Sequence, residues 1–179
     1  MMRIPALATS VALFFLTACA TAPETAEGKA DIRHDADRAL AAAKRADPSL
    51  DGCLRNSAGY AVFPHVGKGG AGVGGAYGKG VLYEEGRATG YCDVSQASVG
   101  LQLGGQTFTE IVCFEHEKAL DEFKSGKVVF DANTSAVALE AGAGGNATYE
   151  KGIEVFTTNE QGMMVEAAIG GQKFTYRPL

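Results

Sequence analysis

Gly67-Lys-Gly-Gly-Ala-Gly-Val-Gly-Gly-Ala-Tyr-Gly-Lys-Gly80 is the stretch on which the reading of this chain turns. Eight of its fourteen residues are glycine. An interior glycine costs a helix about 1 kcal/mol relative to alanine, so the stretch is not helical. It also lacks the polar monotony of a linker, because Ala71, Val73, Ala76 and Tyr77 interrupt it. It suits strands that bend sharply or lie close against another backbone or a ligand.

A weaker version, AGAGGNATYEKG, returns at Ala141–Gly152. Ala71-Gly72-x-Gly74-Gly75 recurs as Ala141-Gly142-x-Gly144-Gly145, and Tyr77-x-Lys79-Gly80 as Tyr149-x-Lys151-Gly152. Upstream, Gly59-x-x-Val62-Phe63 recurs as Gly126-x-x-Val129-Phe130; downstream, Gly104-Gly105-Gln106-x-Phe108-Thr109 recurs as Gly170-Gly171-Gln172-x-Phe174-Thr175. Blocks in one order with drifting offsets read as a duplicated unit, with copies at about 59–109 and 126–175. Two copies predict a closed pseudo-symmetric domain rather than a solenoid, which needs three or more repeats.

The 179 residues hold one domain with a sizeable core, and 46% of them are apolar. Twenty-four glycines argue against an all-helical protein. The net charge is −5, and one unit more negative once Arg3 leaves with the leader described next, which argues against nucleic-acid binding.

Residues 1–18 read as a signal peptide. Arg3 supplies the positive start, Val11–Leu16 the centre of a short apolar run, and small residues follow. The apolar run is too short for a membrane span of about 20 residues. Its end, Leu16-Thr17-Ala18-Cys19, looks like the lipobox of a bacterial lipoprotein. That resemblance implies cleavage before Cys19 and a covalent lipid anchor on it; several acyl chains hold a protein stably on a bilayer. Ala20 after the cysteine suits the outer membrane, so the expected location is the bacterial cell envelope, facing the periplasm. Residues 19–29 form the lipidated N-terminus and a tether.

Residues 30–179 form the domain. Ala30–Ala46 places Ile32, Ala36, Leu40 and Ala43 on one stripe, an amphipathic helix with a thin face. Asp47-Pro48 starts a short second helix that buries Leu50, Cys53 and Leu54. Strands follow: Tyr60–Val66, the glycine stretch, a hairpin of Val81–Glu84 with Ala88–Val94 around Glu85-Gly86, and a second pair, Val99–Leu103 with Thr107–Phe114, around Gly104-Gly105. His116–Ser125 is a helix stopped by Gly126. Further short strands fill the second copy, and Lys173–Leu179 docks as a strand. The expected fold is α+β: a strand-rich antiparallel sheet, barrel-like, of two helix-plus-meander units behind a helical N-terminal segment.

With Cys19 lipidated, Cys53, Cys92 and Cys113 remain; one disulfide is expected in an oxidising compartment, with Cys92–Cys113 preferred and three buried thiols the alternative. No C-x-x-C spacing suggests a metal site, and no cofactor is expected. Gly70-x-Gly72-x-x-Gly75 matches a dinucleotide fingerprint only because glycine is abundant, and no helix pattern opens after it. A hydrolase would need His65, Asp93 and Glu110 to converge. Otherwise the chain reads as non-catalytic.

Gly59-Tyr-Ala-Val-Phe-Pro64, Gly67-Lys-Gly-Gly70 and Gly74-Gly-Ala-Tyr-Gly-Lys-Gly80 resemble the SYLF family of lipid-binding domains, as do Gly100–Gln106, Ser135–Ala138 and Gly170–Tyr176. The resemblance spans about residues 31–179. It implies a lipid-binding domain without known catalysis. Eukaryotic relatives favour phosphoinositides and act with actin, roles that a signal peptide and lipobox do not fit. The expected partner is therefore membrane phospholipid, through anionic headgroups. Lys68, Lys79, Arg87 and Lys151 are the candidate headgroup contacts, because lysine or arginine beside unobstructed backbone N–H groups attracts an anion. The rival is an adaptor lipoprotein that binds a protein or envelope partner and touches the membrane only through Cys19.

Overall fold

The computed structural model describes Pro23 and residues 25–127, 129–131 and 152–179. The leader, Cys19 and most of the second glycine block, Lys151 included, lie outside the described residues.

Helix α1 spans Ala26–Ala46. It starts earlier than its apolar stripe requires, because the Thr25 hydroxyl accepts from Gly28 N at 3.1 Å and caps it, so the expected tether is partly helix. Helix α2 spans Leu50–Asn56; Asp47 lies before it rather than capping it, its Oδ1 accepting from Ser49 N at 2.9 Å. Strands β1 (Gly59–Glu84) and β2 (Arg87–Phe114) meet at Glu85-Gly86, whose φ angles of 49° and 73° suit a tight hairpin turn. Helix α3 (Glu117–Lys124) is capped by His116 Nδ1, which accepts from Ala119 N at 3.1 Å. Strand β3 (Val129–Asp131) and strand β4 (Ile153–Pro178) complete the described elements. All pairings are antiparallel, in the order β1-β2-β4-β3.

The α+β class and antiparallel sheet stand, but the meanders do not. Val99–Leu103 and Thr107–Phe114 are not a hairpin around Gly104-Gly105; they are one strand, β2, paired with β1 on one side and β4 on the other. A strand from the expected second unit thus lies directly beside the first unit's.

Straight strands of this length would run about 85 Å, twice the width of a compact chain of this size. They double back instead. A Cβ on Gly80 would stand 2.6 Å from the Val62 carbonyl oxygen and from the Phe63 ring, and one on Gly70 would stand 2.6 Å from Gly74 Cα. These near contacts run antiparallel about Gly72, whose φ of 75° turns the strand, and the β1–β2 ladder shifts register there between Ala71 and Val73.

The fold encloses Phe63, Val66, Val94, Phe108, Phe114 and Phe174, with Leu120 and Phe123 of α3. Phe123 lies 4.6 Å from Phe114 and 5.2 Å from Phe174, centroid to centroid. A second cluster lies under α1 and α2, where Ala36, Ala43 and Leu50 meet Val62, Tyr83, Ile111 and Cys113. The Tyr83 hydroxyl donates to Asp37 of α1 at 2.8 Å. Both clusters are built from described residues between Ile32 and Tyr176.

The disulfide differs from the expected one. Cys113 pairs with Cys53 of α2, Cα to Cα 6.2 Å, and Cys92 is a free buried thiol. Cys113 belongs to the cluster under the helices and Cys92 to the enclosed one, so the two face different cores.

Two stability changes follow. Gly80→Ala places a methyl where β1 meets itself and lowers stability by about 1–3 kcal/mol in urea unfolding. Cys53→Ser opens a link across 60 residues and costs about 4 kcal/mol on the chain-entropy scale; equal midpoints with and without reductant would contradict it.

Candidate functional site

Where β1 and β2 double back, large apolar side chains stand exposed. Val73 stands opposite Val99, and Ala71 opposite Leu103. Val73, Val99 and Leu103 are 67%, 66% and 70% exposed, the most exposed large apolar side chains among the described residues, with Tyr77 next on the sheet at 43%. Beneath them β2 is paired with β4 throughout, and with β1 on either side of residues 100–102, where the β1–β2 register shifts. The rim is therefore apolar in side chain, with its β2 backbone held by β4.

Behind the rim the enclosed face turns polar. Gln96, Ser98 and Glu110 are buried, Glu110 at 1% exposure. Gln172 Nε2 donates to Glu110 Oε2 at 3.1 Å, while Oε1 has no hydrogen-bond partner. Burial pushes the Glu110 carboxyl up to about 7, against the opposing pull of the Gln172 bond and the Lys68 charge.

The expected headgroup cations are spread out. Lys68 stands opposite Gln106, near the rim. Lys79 stands opposite Asp93, whose carboxylate accepts from Tyr77 at 3.0 Å and Thr175 at 3.1 Å. Arg87 is exposed at the far hairpin opposite Glu84, about 17 Å along the strand from Lys79. Lys151 lies outside the described residues. Lys68 alone of the described three is near the apolar rim.

Arg38 and Arg45 of α1 instead share a groove of about 550 Å³ with His65 and Thr107. Asp35 also lines it and lies 3.9 Å from Arg38 and 3.8 Å from His65, which offsets part of its charge. The seven-residue spacing of the two arginines, two helical turns, is the sequence signal that would have placed them together.

The hydrolase trio does not form. His65 is exposed beside α1, Asp93 is held by Tyr77 and Thr175, and Glu110 points into the enclosed layer with Gln172. Cys92 is no nucleophile either, since burial and then the charges of Asp93 and Glu110 hold its thiol well above the usual range. Among the described residues no three His, Cys, Asp or Glu side chains gather as a metal site.

The described residues thus form an α+β domain with a glycine fold and an exposed apolar rim, a surface of the kind that binds. Residues 95–178 match the Ysc84 family, described as Las17-binding protein actin regulator, and the resemblance to the SYLF family holds. The chain is also similar to Beta cell expansion factor A of Aeromonas veronii, 27% identical over 161 residues, covering 85% of this chain. It spans only 59% of that relative's length. The family description is one of binding and regulation, not of catalysis.

Glu110 sets a pH dependence. Its folded value lies above the ordinary carboxylate value, so ionisation opposes folding: stability is greatest below about pH 4.5, falls as pH rises to about 7, and is level above that. Glu110→Gln keeps an acceptor for Gln172 and removes the loss. The variant is expected to be about 3 kcal/mol more stable than the parent at pH 8 and equal to it at pH 4; parallel pH–Tm curves would contradict this.

Proposed function

We propose that this protein is a non-catalytic envelope lipoprotein, anchored through Cys19, whose domain binds phospholipid by laying the rim of the doubled-back sheet against the bilayer. The observation that carries the reading is the exposed trio Val73, Val99 and Leu103. Large apolar side chains exposed together mark an interaction surface. A bilayer interface accepts apolar groups at about 0.8 kcal/mol per buried CH2, and it demands that any backbone entering it be hydrogen-bonded already. The rim meets the first condition, and the unbroken pairing of residues 96–107 of β2 with β4 goes part of the way to the second. Lys68 beside it gives a preference for anionic headgroups, whereas Lys79 and Arg87 stand too far along the sheet to share one headgroup.

The rival reading, a domain that binds a protein partner, draws on the description of the matched family as Las17-binding. An apolar rim also suits a protein partner, so vesicles must decide.

The test is flotation of residues 21–179, free of leader and acyl chains, with anionic and neutral vesicles across a salt series. Binding to both vesicle types, stronger on the anionic ones, is expected. Val99→Glu with Leu103→Glu lowers it about tenfold or more on either vesicle. Lys68→Glu lowers only the salt-sensitive part on anionic vesicles. Absence of binding to either vesicle would leave Cys19 as the sole membrane contact and favour the protein partner.

A further inference from the structure

The ladders on the two sides of β2 are both irregular at Thr109. β1 and β2 shift register between Phe63 and Val66, which stand opposite Glu110 and Phe108, and β2 and β4 shift between Thr107 and Thr109. Bulges of this kind re-aim side chains and gather next to binding sites. Here they border the groove that Pro64, His65 and Thr107 share with Arg38 and Arg45 of α1. The Thr109 hydroxyl donates to the Pro64 carbonyl at 3.0 Å and holds the bulge of β1 in place.

The groove joins cations to an apolar wall. Ala39 and Ala42 lie between the two arginines and leave room there, and Pro64 and Phe108 line the sheet side. Arg38 and Arg45 are two turns apart, about 10 Å along the helix, within reach of one ligand for two long side chains. A carboxylate already stands beside them: Asp35 lies 3.9 Å from Arg38 and 3.8 Å from His65. Both distances exceed the length of a hydrogen bond, and the Arg38 side chain is still 72% exposed. This contact therefore leaves the guanidinium donors to a ligand. The volume, about 550 Å³, is that of a small-molecule site.

We propose that this groove binds a phosphate ester, with Arg38 and Arg45 forked onto the phosphate oxygens, Thr107 beside them and the organic part on the apolar wall. A carboxylate has two oxygens, which a single guanidinium takes up; a phosphate has enough for forks from two sides. Its second charge also outweighs the one that Asp35 contributes. The site is separate from the rim, since Thr107 is four residues from Leu103, about 13 Å along β2. The inference thus goes beyond the rim reading and does not depend on it. Soluble esters and lipid heads both carry the group, and the test separates them.

The experiment uses residues 21–179, which contain every described element and both cores. The first probe is glycerol 3-phosphate, followed by calorimetry. Saturable binding with a Kd of about 1 mM is expected from two charge-assisted contacts. Arg38→Gln and Arg45→Gln each weaken it about tenfold, and both positions are exposed on α1, so the variants keep the parent's Tm. Asp35→Asn tightens binding by removing the competing carboxylate, an effect that a merely structural role would not give. Lys118→Gln, exposed on α3, leaves binding unchanged. Glycerate binds about tenfold more weakly than the phosphate; equal binding overturns the phosphate assignment.

The second probe is flotation on phosphatidylcholine vesicles with and without phosphatidic acid. Arginine-dependent binding of glycerol 3-phosphate alone assigns the site to a soluble ester. An arginine-dependent gain from phosphatidic acid alone assigns it to a lipid head, and both together to a site open to either. Binding of neither probe that depends on Arg38 and Arg45 overturns the site, as does an equal loss in Lys118→Gln. Val99→Glu with Leu103→Glu leaves glycerol 3-phosphate binding at the parent level, so failure at the rim and failure here are told apart.

Discussion

The fold depends on backbone meeting backbone within β1. A strand this long cannot remain straight in a chain of this size, and it cannot lie along itself if side chains stand between the two halves. Gly80 against Val62 and Phe63 removes that obstacle, and Gly72 supplies the reversal. Once β1 has doubled back, β2 and β4 follow its register. The aromatic core of Phe63, Phe114, Phe123 and Phe174 then fills the space enclosed, with α3 as its plug.

The same constraint produces the site. At a bend, a side chain on the convex surface has no neighbouring layer, so Val73, Val99 and Leu103 are left in solvent by the geometry that buries Phe63 and Val66. Inside the bend the enclosed face mixes Gln96, Ser98, Glu110 and Gln172 with the rings of Phe63 and Phe108. An apolar exterior over a polar interior is the reverse of the usual order, and it makes the bend the chemically unusual part of the molecule.

The glycine stretch, the turn at Glu85-Gly86, all three helices and the C-terminal strand were legible in the sequence, because each rests on local chemistry: glycine density, turn residues, caps and helical spacing. The length of the strands was not. Gly104-Gly105 has the composition of a turn, but its φ/ψ freedom is spent inside β2, where tertiary pairing with Gly69 and Gly70 overrides it. Cys53 was passed over for the same reason, since nothing local shows that α2 lies over β2. Among site residues, lysines beside glycine were easy to single out. The valines and the leucine were hidden by their ordinary look, for exposure at a bend is a property of the fold and not of the residue.

Among the described residues, β1 stands at one margin of the sheet with β2 on a single side. An unpaired edge of this length invites another chain to add a strand. Helix α1 packs on the face of β1 beside that margin, over Val62, Val81 and Tyr83, whose hydroxyl donates to Asp37. A chain that lost it would bare those apolar side chains beside the strand edge, and an apolar face joined to an open edge is where further strands add.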